Sequence, residues 1–304
     1  MKVIYYPREE YTGERKACYA LGFFDGVHKG HARLLAECVD CARERGLVPA
    51  VFTFRAEDDG LKGGSARLLP TERKLELIAE CGIELAVVAE FSAVSALTPE
   101  DFVKEVLAAR LGCGAAVTGP GFRFGKGASG DARDLVRLMG ECGLAALTVP
   151  DEYDGDTPIS STRIRELIAS GRMREAAALL GRSYSVSGVV SHGLGLGKGL
   201  GFPTLNLPIN DNNCLQNGVY ASRVILHGES FDGITNVGRC PTVGERERHA
   251  ETMIFDFSSD LYGERVEVEL LEFLRPERAF SSREELVRQI DEDIRRVKDG
   301  RKMD

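Results

Sequence analysis

ACYALGFFDGVHKGHARLLAECVDCARERG, residues 17–46, decides the fold. An apolar run of strand length (17–24) passes through a glycine-punctuated loop into a helical pattern. After Gly30, Leu34, Leu35, Cys38, Val39 and Ala42 share one helix face, and Gly46 can end the helix. The same alternation continues downstream. PAVFTF (49–54) reads as a strand, residues 71–81 as a helix and LAVVAEF (85–91) as a strand. Thr98-Pro99-Glu100-Asp101 is a helix start with proline at the first helical position, and the helix should run to about Leu111. GAAVTG (114–119), a helix near 131–142 and LAALTVP (144–150) complete the series. Strands alternating with helices predict an α/β doubly wound parallel sheet.

Two further helical patterns lie near 161–180, and after the Leu-Gly-Arg at 180–182 the character changes. YSVSGVVSH (184–192), GVYASRVIL (218–226), TMIFDF (252–257) and VEVELLEFL (266–274) read as strands separated by Gly, Asn and Pro turns, which predicts a small antiparallel β-barrel. A last helix opens at Ser282 with Glu285 as a capping box and carries Leu286, Ile290 and Ile294. Two domains are expected, 1–182 and 183–304, in keeping with a chain of 304 residues.

With 39 basic and 47 acidic residues the net charge is −8, so the global field repels polyanions and favours a small phosphate compound over a nucleic acid. No apolar run approaches the roughly 18–20 residues that span a bilayer, and the start lacks a secretory signal, so a cytoplasmic protein without a membrane partner is expected. The 8 cysteines then read as reduced, buried thiols. Cys38 and Cys41 form a C-x-x-C that is better explained by helix packing than by redox chemistry or zinc. The sequence leaves the oligomeric state open.

The segment GFFDGVHKGH (22–31) sits where a doubly wound sheet opens its ligand crevice and where unpaired backbone N–H groups attract phosphate. Gly22, Gly26 and Gly30 let the chain approach a ligand, with Asp25 among them. His28 and His31, at the start of the helix, can both lean toward one triphosphate. Loop histidines satisfied by their surroundings, or a metal pair with Asp25 as third ligand, are the competing readings. A second cluster, ISSTRIR (159–165), again places hydroxyls at a helix start, with Ser161, Thr162 and, one turn in, Arg165.

The second constellation is HGLGLGKGLGFPTLNL (192–207). Gly193, Gly195, Gly197, Gly199 and Gly201 make a loop able to fold its N–H groups around phosphate, and Lys198 adds charge. Strand periodicity then puts Thr204 and Asn206 on one face while Leu205 and Leu207 point into a core, and two neutral oxygen donors beside a phosphate loop suit Mg²⁺. In AETMIFDF, Glu251 shares parity with Met253, Phe255 and Phe257. If that face is the barrel interior, its carboxylate can accept a hydroxyl proton.

H-x-G-H followed by I-S-S-T-x-x-R resembles the nucleotidyltransferase superfamily. The resemblance implies that His28 and His31 polarise the phosphates of ATP, and that Ser161, Thr162 and Arg165 hold its β- and γ-phosphates. The stretch Gly201 to Asn206 (G-F-P-T-x-N), N-G-V-Y at 217–220, Glu251 opening a strand and L-x-R-P-E at 274–277 resemble the riboflavin kinase family. Both in this order resemble the bacterial bifunctional riboflavin kinase and FAD synthetase family, from about residue 17 to about 297. LTPEDFV (97–103), GFRFGKGASGD (121–131), LLGRSY (179–184) and DLYG (260–263) also fit. The resemblance implies a nucleotidyltransferase-like domain followed by a riboflavin kinase-like barrel. Glu251 would be the base, Thr204 and Asn206 the Mg²⁺ contacts, Phe122, Arg123, Phe124 and Arg275 the flavin contacts, and ATP, riboflavin, FMN and FAD the substrates and products. Phe23 stands where the family has asparagine, Arg55-Ala56-Glu57 where F-x-P-H-P continues, and Gly121 where an acidic residue is common. Gly238-Arg239-Cys240 is the main departure of the second half. A kinase with a degenerate first half is therefore the alternative reading, and a flavin- or nucleotide-binding module without catalysis a third.

Overall fold

The computed structural model describes residues 1–58, 66–191, 202–210, 213–239 and 248–300. The chain divides into two compact units, Met1–Ser161 and Thr162–Asp304.

The first unit is built on β1 (Lys2–Tyr6), β2 (Ala17–Leu21), β3 (Val48–Phe54), β4 (Leu85–Ala89), β5 (Cys113–Thr118) and, after the short ribbon of β6 (Arg123–Phe124) and β7 (Gly130–Asp131), β8 (Ala145–Thr148). These six form a parallel sheet in the order β1-β4-β3-β2-β5-β8. Every residue of β2 and β4 is buried, as expected of parallel strands covered on both faces. Helices α1 (Lys29–Arg45), α2 (Thr71–Glu80) and α3 (Ala132–Glu141) lie close to their predicted spans. The predicted helix to Leu111 begins at Pro99–Asp101, capped by Thr98, but runs on as a π-helix over Phe102–Arg110. Strand β1 was not anticipated; it pairs with β4 at the sheet edge and buries only Ile4 and Tyr6. Because β3 and β5 flank β2 on opposite sides, the winding direction reverses there, and the crevice opens at the end of β2.

Cys38 of α1 packs under β2, its Sγ 3.2 Å from the Cys18 carbonyl and 3.8 Å from the Cys18 Sγ. The hydrogen bond with Cys38, together with burial, pushes the Cys18 thiol far above its ordinary range. Among the described residues all cysteines are free thiols.

The second unit opens with α4 (Ser161–Ala169, whose first residue ends the first unit) and α5 (Met173–Leu180). Strands β11 (Tyr184–Val189), β12 (Leu205–Ile209), β13 (Gly218–Leu226), β14 (Glu229–Arg239), β15 (Arg248–Ile254) and β16 (Arg265–Arg275) follow the two-residue ribbon of β9 (Tyr153–Asp154) and β10 (Thr157–Pro158), which belongs to the first unit. They pair antiparallel in the order β11-β16-β13-β14-β15-β12. A bridge from Ser191 to Asn206 brings the two edges together, so the sheet is a nearly closed barrel. Strand β14 was not anticipated, since ESFDGITNVGR shows no clean alternation; it hairpins with β13 through His227 and Gly228, both at positive φ.

The barrel interior is filled from Tyr220, Val224, Val237, Ala250 and Val268, with Ser222, Thr235 and Thr252 joined by hydroxyl contacts of 2.8 and 2.9 Å. On the outer face, Val219, Ala221, Ile234 and Met253 pack beneath Ile294 and Val297 of α6 (Arg283–Gly300). Arg275 donates from Nε to Asp293 Oδ2 at 2.9 Å and pairs with the same oxygen through Nη2 at 2.8 Å, where the Asp293 side chain is 7% exposed. Asp293→Ala leaves this guanidinium without its anion and should cost about 3 kcal/mol. Chemical denaturation checks it, and a loss under about 0.5 kcal/mol, the scale of an ordinary surface substitution, would refute it.

Candidate active sites

The loop from Gly22 to His28 joins β2 to α1. Phe24, Gly26 and Val27 are all at positive φ, a strained conformation for the two non-glycine residues. Side chains anchor it: Asp25 Oδ1 accepts the Leu68 N–H at 2.9 Å, and Ser161 Oγ donates to the Asp25 carbonyl at 2.8 Å. His28 caps α1, its Nδ1 accepting the His31 N–H at 3.3 Å, which leaves the proton of the neutral ring on Nε2. The rings of His28 and His31 stack with centroids 3.6 Å apart and 17° between planes. Burial, then the neighbouring His28 and Lys74, holds the pKa of His31 well below the ordinary histidine value, so it is neutral at pH 7. His31 Nδ1 is out of water without a hydrogen-bond partner. Stacked rings do not converge on a metal shared with Asp25, and no group of three or more His, Cys, Asp or Glu is placed to hold a metal among the described residues.

Gly30 has a specific cause here. A Cβ at this position would stand 3.2 Å from His28 Cε1 and 3.3 Å from Nδ1, so any larger residue pushes the capping ring by a few tenths of an ångström. Gly30→Ala should displace that ring and slow this half's reaction about tenfold. The rate of the barrel's reaction in the same preparation is the control, and an unchanged rate of the first reaction would count against the placement.

Ser161 thus meets the loop, while Thr162 and Arg165 belong to the second unit. There Thr162 Oγ1 accepts from Arg165 Nη2 at 3.1 Å. Arg123 is exposed on β6, 3.9 Å from Asp131, and Phe122 is half-buried and stacked on Phe124. Phe124 is 7% exposed and packs on Phe102 in the core, so its ring anchors the loop.

In the barrel, Glu251 of β15 is opposite Asn206 of β12 on one side and Asn236 of β14 on the other. Val219 and then Arg275 continue the row. Residues directly opposite share a face. That face is not the barrel interior, as the sequence expectation had supposed: Arg248, Ala250 and Thr252 point inward, and Glu251 points outward with Met253. Asn206 is outward too, opposite in sense to the inward Leu205 and Leu207, and so shares that face with Glu251. Thr204 precedes β12 and is half-buried. Burial raises the pKa of Glu251, and Glu277 of the 274–277 motif raises it further against the opposing effect of His249.

Gly193, Gly195, Gly197, Lys198, Gly199 and Gly201, and Cys240 in the second half's departure, lie outside the described residues. Sequence reasoning missed Asn236, because β14 gave no strand signal, and Lys74, because a lysine inside an amphipathic helix reads as solvated. It also missed Arg248, which is buried and donates to the Asn217 side chain at 3.1 Å and to the carbonyls of Asn213 and Leu215, shaping the turn before β13.

Residues 11–163 match the FAD synthetase family and residues 180–300 the riboflavin kinase family. The chain is similar to the bifunctional riboflavin kinase/FMN adenylyltransferase of Escherichia coli strain K12, with 35% identity over 90% of this chain and 89% of that protein. The protein of that name in Bacillus subtilis is 33% identical over 92% and 91%, and that in Listeria monocytogenes 34% identical over 96% of both. Among solved structures, a macrolide-efflux protein from Streptococcus pneumoniae superposes with a TM-score of 0.84 at 29% identity, covering 98% of this chain and 99% of that one. No helix among the described residues here is long and apolar enough to cross a membrane.

Proposed function

The chain belongs to the bifunctional riboflavin kinase/FMN adenylyltransferase family, and from that premise we propose how its residues carry the two reactions. It phosphorylates riboflavin to FMN with ATP and adenylylates FMN to FAD with a second ATP. We assign residues 1–182 to adenylyl transfer and 183–304 to the kinase.

In the first reaction the ribityl 5′-hydroxyl of riboflavin attacks the γ-phosphorus of ATP and ADP leaves. Glu251 takes the hydroxyl proton, and the raised proton affinity that burial gives it suits that task. One hydroxyl and one amide oxygen, from Thr204 and Asn206, are hard neutral donors that fit Mg²⁺, which keeps most of its shell for phosphate and water. Held by these two side chains, Mg²⁺ would supply positive charge to offset that of the ATP phosphates. The glycines of 193–201 with Lys198 cradle the phosphates, and Arg275, held by Asp293, is the flavin contact of this half.

In the second reaction a phosphate oxygen of FMN attacks the α-phosphorus of ATP and pyrophosphate leaves. No side chain needs to become covalently attached, so positioning and charge carry the rate. His28, with its proton on Nε2, and His31 are donors to the phosphates. Backbone N–H groups of Gly22–Gly30 and the Ser161 side chain line the cradle, and the family resemblance assigns Thr162 and Arg165 to the β- and γ-phosphates. Phe122 and Arg123 face the flavin, and Phe124 holds their loop to the core.

The observation that carries this assignment is the row Asn206–Glu251–Asn236, which sets a raised-pKa carboxylate between two amides. Incubation of the purified chain with riboflavin, ATP and Mg²⁺ should give FMN and then FAD. FMN without FAD would return the kinase-only reading that the substitution at Phe23 raises. Cytoplasmic residence is proposed on the free thiols among the described cysteines.

A further inference from the structure

One cation beneath the first site takes no part in the chemistry above. Lys74 lies on the apolar face of α2 with Leu75, Leu77 and Ile78, and is 1% exposed. Its Nζ donates to the carbonyls of Phe23 at 3.2 Å and Phe54 at 2.6 Å and to Thr53 Oγ1 at 3.3 Å. An ammonium has three donors, so none is left for a substrate. The acceptors come from the phosphate loop and the end of β3, and Thr53 Oγ1 ties them again by donating to the Phe23 carbonyl at 3.0 Å. The ammonium also sits 4.5 Å from the centre of the Phe23 ring, with the Arg67 guanidinium 5.0 Å from it. Phe23 cannot offer its side chain as a polar partner, yet its backbone is pinned and its neutral ring lies against two cations.

We propose that Lys74 is a positioning residue of adenylyl transfer, fixing the phosphate loop at the Phe23 carbonyl and placing a buried positive charge under the triphosphate. This rests on the reading that the first half makes FAD. A methionine would fill the same apolar space without desolvating a charge, so the charge needs a reason other than packing. The charged and titratable groups facing it are Asp25 from the loop, Glu57 after β3, Arg67 before α2 and the neutral His31 of α1. Burial lowers its pKa to about 8 against the opposing pull of Asp25 and Glu57. It is therefore charged below that pH and neutral above it, and FAD formation should decline as pH rises through about 8.

The test uses the full chain with FMN, ATP and Mg²⁺, following pyrophosphate, and with riboflavin phosphorylation as internal control. Lys74→Met should lower kcat for FAD formation about 10- to 100-fold, with KM for ATP and FMN within about threefold and the kinase rate unchanged. Lys74→Arg keeps the charge at every pH used and should retain activity without the decline near pH 8. If Lys74→Met does not fold, the alkaline limb of wild type against Lys74→Arg decides alone. The proposal is overturned by wild-type kcat in Lys74→Met, or by an alkaline limb that Lys74→Arg leaves in place. A wild-type chain that makes no FAD overturns the underlying reading, and this one with it.

Discussion

Glu251→Gln is expected to lower FMN formation about 10²- to 10⁴-fold, while the same preparation converts added FMN to FAD at the wild-type rate. Glutamine keeps the shape of the side chain between Asn206 and Asn236 and removes only its capacity to take a proton. Riboflavin binding should therefore survive, and the loss should fall on kcat. The pH dependence follows from the sign of the shift. The carboxyl must be ionised to act, burial and Glu277 hold its proton more tightly than usual, and so kinase activity should fade, as pH is lowered, sooner than an ordinary glutamate predicts. Chromatographic separation of riboflavin, FMN and FAD across that range measures both effects. Full kinase activity in the glutamine variant would remove Glu251 from the chemistry.

His31→Ala is expected to do the converse, cutting FAD formation from added FMN about 100- to 1,000-fold and leaving riboflavin phosphorylation intact. The ring is half of a stacked pair, edge-on to Phe24 at 5.2 Å, and its Nδ1 is buried without a partner. Neutrality matters here. A charged imidazole pair would repel across 3.6 Å, whereas neutral rings stack and each still keeps one N–H to donate. If the histidines only support the loop, the alanine variant would lose stability and keep its specific rate. Pyrophosphate release per folded molecule, with folding followed by circular dichroism, separates the two outcomes.

The sheet and the barrel were legible where composition left one reading. Strand β2 is fully buried because its residues are mainly apolar and the Tyr19 hydroxyl finds the Leu111 carbonyl at 2.9 Å, and Gly30 and the spaced leucines mark the start and the buried face of α1. Strand β1 was missed because an edge strand buries one face only, and β14 because Asp232 and Gly233 interrupt its alternation. The neighbours of Glu251 could be guessed from parity, but parity does not say which side of a barrel is inside. That took the pairing of Thr252 with Thr235 to settle. Lys74 was illegible because a sequence shows a charge without showing what surrounds it. The π-helical turns at Phe102–Arg110 likewise leave no mark in an apolar spacing that an α-helix would satisfy.

The row that crosses β12, β15 and β14 ties kinase chemistry to counting. Glu251 meets Asn206 and Asn236 only in the present frame of three strands. Deleting a single residue within β15 upstream of Glu251 would carry the carboxylate through to the packed inside and turn Thr252 out in its place, whereas a two-residue deletion would restore the sense but not the alignment. The catalytic half of the barrel should therefore accept point changes along its strands far more readily than any change in their length.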